Sequence, residues 1–157
     1  MEEKRLPDYE EIINLEKISQ KNGSAIKYEQ LIGTWRLRHI WKKGSNQVDN
    51  ISSSILQVLY ATLELSQKKF QDNVNYNIKN SIKFGFLTLI FSGNAFLKGE
   101  RPILSFYFVD LKVKVLNLTL FNKDLTKPDA NQMPFFSLIY LNKIDNWMCA
   151  RGKGGGL

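Results

Sequence analysis

At Gly33 the apolar residues change their period, and this switch limits what the chain can fold into. Before it, Tyr9, Ile12, Ile13 and Ile18 recur at roughly helical spacing. After it, Trp35, Leu37, His39 and Trp41 share one side of an alternating run. Arg36, Arg38 and Lys42 share the other side, and only Ile40 breaks the pattern. Alternation of this kind predicts a strand over residues 35–43 with one dry face and one wet face. Strand-like runs follow at residues 56–66, 74–84, 86–97, 103–109, 113–121, 135–141 and 147–151. Asp72-Asn73, Gly99-Glu100, Lys123-Asp124 and Asn142 to Asn146 punctuate them as turns. Residues 55–65 also fit a helix, because Leu56, Leu59 and Leu63 fall on one helical stripe, but the strand reading is preferred.

About eight short strands in series predict a mainly β, antiparallel sandwich or barrel. An up-and-down barrel removes the exposed edges that such strands otherwise leave. Several strands are apolar on both faces, residues 103–109 among them, so they need cover outside as well as filling inside. One or two N-terminal helices precede the strands. Pro7 suits a first-turn position, Lys21-Asn22-Gly23 is a stop signal, and Ser24 is placed to cap a short helix over residues 25–31. The expected organisation is a single domain in which a helical segment, residues 1–30, packs on a barrel of residues 31–157.

The 157 residues suffice for one real core: a chain of this size buries roughly 70% of its unfolded surface. No run of eighteen apolar residues occurs, so a spanning helix is not expected. The start, Met1-Glu2-Glu3-Lys4-Arg5, has no apolar leader segment, and the single Cys149 suits a reducing compartment. Residues 1–20 carry six acids and three bases, which leaves nine acids and nineteen bases, a charge of +10, on the rest. A basic body fits an anionic membrane surface, an acidic partner or simple solubility. Basic residues are scattered and no nucleic-acid recognition motif occurs, so nucleic acid is not expected as a partner.

Catalysis is not expected either. The chain has one histidine, one cysteine and no acid/histidine cluster at metal-ligand spacing, so neither a metal nor a cofactor is indicated. A Cys149–His39 nucleophile–base pair requires the fold to bring the two together. Gly152-Lys153-Gly154-Gly155-Gly156 has glycines for a phosphate cradle but no helix after it within the chain. His39 reads either as a satisfied core residue or as a polar handle inside an apolar cavity.

Leu31-Ile32-Gly33-Thr34-Trp35-Arg36-Leu37 resembles the first-strand signature of lipocalin-like proteins. Asn80-Ser81-Ile82, Ala95-Phe96, Arg101-Pro102-Ile103-Leu104-Ser105-Phe106 and the closing Ala150-Arg151-Gly152-Lys153-Gly154-Gly155 follow in the order seen in the plastid lipid-associated (fibrillin) family. Family members continue past the glycine turn into a closing strand, whereas this sequence stops at Leu157. The resemblance implies a lipocalin-like β-barrel whose floor is latched by Gly33, Trp35 and Arg151, with the Arg151 guanidinium over the Trp35 indole. It implies non-catalytic carriage of a lipid, isoprenoid quinone or carotenoid in a photosynthetic cell. The protein would then lie in the cytoplasm or plastid stroma, peripherally associated with the thylakoid membrane or a lipid body. The expected lining is Leu37, His39 and Trp41 from the first strand with Phe106 and Phe108 from the central one. Two alternatives stand beside it: a bilin carrier resembling phycobiliprotein lyases, and a packed barrel that docks on a photosynthetic complex.

Overall fold

The computed structural model describes residues 5–50, 61–68, 76–100 and 102–157. Helix α1 spans Tyr9–Asn22. Asp8 caps it: its carboxylate accepts from the Glu11 N–H at 2.9 Å, and the Glu11 carboxylate accepts from the Asp8 N–H at 2.9 Å. Pro7 therefore lies just outside the helix rather than in its first turn. Helix α2 is a single turn, Tyr28–Leu31, shorter than predicted, because Ala25 sits at φ 51 and cannot join it. Ser24 leaves its hydroxyl without a hydrogen-bond partner, and the Lys27 N–H is capped by Gln30 at 2.7 Å instead.

Among the described residues eight antiparallel strands follow: β1 (Gly33–Arg36), β2 (Thr62–Gln67), β3 (Tyr76–Phe84), β4 (Leu87–Lys98), β5 (Ile103–Val115), β6 (Leu118–Asp124), β7 (Phe135–Asn142) and β8 (Trp147–Gly152). Their order in one sheet is β1-β2-β3-β4-β5-β7-β8, with β6 added to the outer half of β5. The fold is thus mainly β, a curled, lipocalin-like half-barrel with an N-terminal helix, as the sequence predicts. Two boundaries differ from the sequence reading. The runs at 103–109 and 113–121 divide at Leu116-Asn117, not near residue 110, because Asp110, Lys112 and Lys114 lie on the outer face of one continuous strand. The strand predicted over 35–43 ends at Arg36, where pairing with β2 stops at Thr62. Of the 56–66 run, residues 56–60 lie outside the described residues, and the rest falls on β2, Thr62–Gln67, as the preferred strand reading has it.

Beyond β1 the chain takes a different partner. Trp41 exchanges two backbone hydrogen bonds with Leu157, each at 2.9 Å, and bridges to Val48. This sets the segment after β1 beside the segment after β8. Two apolar clusters result. The inner one joins Leu65, Tyr76, Ile78, Ala95, Leu104, Phe106 and Leu138 on the concave face with Ile26 and Leu31 from the α2 segment. The other joins Ile12 of α1 to Trp41 and Ile139. So α1 covers part of the sheet's outer face, and α2 plugs part of its hollow.

Candidate functional site

The strand register sorts the concave face into rows. Leu65, Ile78, Gly93 and Phe108 pair successively across β2 to β5. The row above is Trp35, Leu63, Asn80, Phe91, Leu111 and Lys123. Two further rows lie towards the hairpin tips: Ile82, Leu89, Val113 and Phe121, then Phe84, Leu87, Val115 and Leu118. All eight side chains of these last rows are apolar, yet none is buried. Large aliphatic and aromatic side chains gain about 1.5–3 kcal/mol each when fully buried, so this half of the face has unrealised binding energy.

The two halves differ because of α2. Its segment is fastened to the lower half by two side-chain hydrogen bonds. The Tyr76 hydroxyl donates to the Tyr28 carbonyl, and the Trp35 indole N–H donates to the Leu31 carbonyl, both at 2.9 Å. The Tyr28 and Tyr76 rings stack at 4.6 Å between centroids. Burial, with Tyr28 and Glu29 nearby, pushes the Tyr76 phenol well above its ordinary range. It stays a neutral donor. Among the described residues, nothing comparable packs over the upper half.

The predicted site residues do not gather on one surface. Phe106 is buried in the filled half and stacks on Phe136 at 5.2 Å. Phe108 stands at the boundary, 5.5 Å from Phe91 and 5.6 Å from Phe106 between centroids. Leu37 is half-buried beyond the end of β1, and His39 is exposed, with its ring edge against Trp41 at 5.6 Å. Trp41 is buried, but in the cluster under α1. The alternation that put His39 and Trp41 beside Phe106 depended on a continuous strand, and the strand ends at Arg36.

The expected latch separates into two. Trp35 holds the α2 segment. Arg151 does not lie over it: its Nε and Nη2 donate to the two carboxylate oxygens of Glu16 at 2.6 Å, and its Nη1 donates to the Gly155 carbonyl at 2.6 Å. Donating these hydrogen bonds to Glu16 raises the Arg151 pKa further, so the guanidinium is always charged. Gly33, at φ 143, supplies the entry bend into β1. Arg151 therefore secures α1, and Trp35 secures α2.

The thiol of Cys149 is half-buried near Trp41 and is pushed up to about 12, first by burial and then by the Glu16 charge, against a lowering backbone hydrogen bond at Tyr140. A thiol held neutral is a poor nucleophile near pH 7. Among the described residues no group of three His, Cys, Asp or Glu side chains could hold a metal ion. No helix among them is long and apolar enough to cross a membrane.

Sequence reasoning missed the side chains of the upper rows. The signal was present in the alternation Ile82, Phe84 and then Leu87, Leu89, Phe91 around a turn at Gly85, whose φ is 54. A cavity of about 450 Å³ lies on the convex side, lined by polar groups including Glu64, Ser66, Lys68, Lys79 and Asn94. There Lys68 donates to Asn94 at 2.6 Å, Asn94 donates to the Tyr107 hydroxyl at 3.2 Å, and Lys79 pairs with Glu64 at 3.3 Å. These groups largely satisfy one another.

Fold and face together define the class: an antiparallel half-barrel with one half of its hollow packed and the other apolar and accessible. No family model, no curated protein and no solved structure matches the chain.

Proposed function

We propose that the protein is a non-catalytic carrier of an apolar molecule, held on the upper half of the concave face. The observation that supports this reading is the pair of wholly apolar, unburied rows continuous with Phe91 and Phe108. Ligand pockets are mostly apolar with few polar groups, and here Asn80 and Lys123, in the row below, are the polar groups that could orient one end of a long ligand. A lipid, isoprenoid quinone or carotenoid has the matching shape and chemistry. The resemblance to plastid lipid-associated proteins supports the same class and an association with thylakoid or lipid-body surfaces.

Titration with a short-chain isoprenoid quinone tests the reading through quenching of tryptophan fluorescence, since Trp35 lies in the row below the open rows. Saturable quenching is expected, weakened about tenfold in Leu89→Asn, which removes an apolar contact and strands an amide. Linear, unsaturable quenching together with no co-purifying apolar mass by native mass spectrometry would overturn it.

A further inference from the structure

The upper rows end in two adjacent hairpin tips. Phe84-Gly85-Phe86-Leu87 joins β3 to β4, and Val115-Leu116-Asn117-Leu118 joins β5 to β6. The Leu116 N–H donates to the Phe86 carbonyl at 2.8 Å, so the two tips are tied to each other. Among the described residues, pairing of β3 with β2 stops at Ser81, and β3 runs three residues further, roughly 10 Å at about 3.4 Å per residue. At the summit Phe86 is 74% exposed, Leu118 72%, and Leu116 and Phe84 each 65%. Leu116 also sits at φ 55, a conformation that glycine adopts freely and leucine rarely does. The chain therefore places an apolar side chain where backbone preference and water both oppose it.

The outer face behind this summit carries charge of one sign. From residue 80 to 97 and from 111 to 122 there is no acid, while Lys83, Lys112 and Lys114 fall in those stretches. Lys83 and Lys114 flank Thr88 in the first outward-facing row behind the tips. Asp110 lies at the base of the projection, against Lys112 at 3.4 Å. A protruding apolar summit backed by cations on its outer face matches a surface that is soft, apolar within and anionic at its face.

We propose that the paired tips are a membrane-docking device for a bilayer containing anionic lipid. Phe84, Phe86, Leu116 and Leu118 enter the headgroup boundary, and Lys83 and Lys114 meet the anionic headgroups behind them. Neither step depends on a ligand on the concave face.

Sedimentation with vesicles of phosphatidylcholine alone, and with added phosphatidylglycerol, tests this without any apolar ligand. Binding is expected only with phosphatidylglycerol, and it weakens as salt rises. Phe86→Asp lowers it about tenfold or more, and Lys83→Gln and Lys114→Gln lower it about fivefold each. Leu116→Gly gives the sharpest contrast, because it raises the melting temperature of the free protein while weakening vesicle binding. No binding to phosphatidylglycerol vesicles, or binding that Phe86→Asp leaves intact, overturns the proposal. So does a summit that proves to join two protein copies, seen as a vesicle-free dimer lost in Phe86→Asp. Quinone quenching by the same variants reads the concave face separately, so the two proposals can fail independently.

Discussion

Removing the Arg151 guanidinium should destabilise the fold through α1, and the structure sets the size of the effect. Arg151 meets Glu16 with two hydrogen bonds of 2.6 Å, and the two side chains are only 28% and 14% exposed. Exposed pairs contribute about 0–1 kcal/mol, and breaking a fully buried one costs about 3–5 kcal/mol. This bidentate, part-buried pair lies between those limits, so Arg151→Ala is expected to lose about 2–3 kcal/mol. For a chain of this size that lowers the melting temperature by roughly 5–10 °C. The loss is asymmetric: Arg151→Ala strands the more buried Glu16 carboxylate, whereas Glu16→Gln leaves a guanidinium that still reaches water and Gly155. Urea unfolding of both single variants and the double variant measures the coupling, expected at about 1–2 kcal/mol. The same cycle between Arg151 and Trp35 should give no coupling, since Trp35 is bonded to Leu31 instead. Arg151→Ala within about 0.5 kcal/mol of the parent, or coupling to Trp35 instead of Glu16, would refute the reasoning.

Three other residues give outcomes, Tyr76 and Gly93 in the packed half and Cys149 in the cluster under α1. Tyr76→Phe removes the hydrogen bond that the fully buried Tyr76 donates to the Tyr28 carbonyl, and its unfolding free energy should fall by about 1–2 kcal/mol. Gly93→Ala should cost about 3 kcal/mol by the same measurement, because a β-carbon there collides with the Tyr107 carbonyl and the Phe108 backbone at the bulge between β4 and β5. Cys149 loses its proton near 9.0 in the unfolded chain and at about 12 in the folded one, so the unfolded state binds fewer protons between those values. Stability should therefore fall as pH rises through that window and be unaffected by this thiol below it. A thiol reagent at mildly alkaline pH should label the protein only after unfolding.

The strands after residue 76 were legible because each alternates and each turn carries an Asn, Asp or Gly: β3, β4, β7 and β8 fall within two residues of their predicted spans. β5 and β6 were misdivided because the turn between them has leucine where glycine is usual, while the charged Asp110, Lys112 and Lys114 imitate a loop. The site was less legible for a different reason. Placing His39 and Trp41 on the inner face required the strand to continue, and continuation depends on a partner strand. Beyond Arg36 the chain bends away, and Trp41 pairs with Leu157, from the far end of the chain, and with Val48. Alternation reports which side chains share a face, but not how far a neighbour runs alongside.

That difference in reach also explains how a packed core and an apolar open face coexist. β3, β4 and β5 are 9, 12 and 13 residues long, whereas β1, β2 and β8 are 4, 6 and 6. Strands commonly run about 5–6 residues, and the short ones here suffice to enclose the α2 segment. The long ones overshoot that core, carrying the same inward alternation of large apolar side chains into a region where no described element answers it. Such an overhang is a liability in water, since exposed apolar strands invite association. Its lysines mitigate this by repulsion between copies, and they do so without placing any charge among the eight inward positions of the two upper rows. An overhang selected only for solubility would place charge on that face as well. Its apolar inner face and basic outer face are instead the arrangement expected of a surface that gains contacts when it meets an apolar molecule or an anionic bilayer.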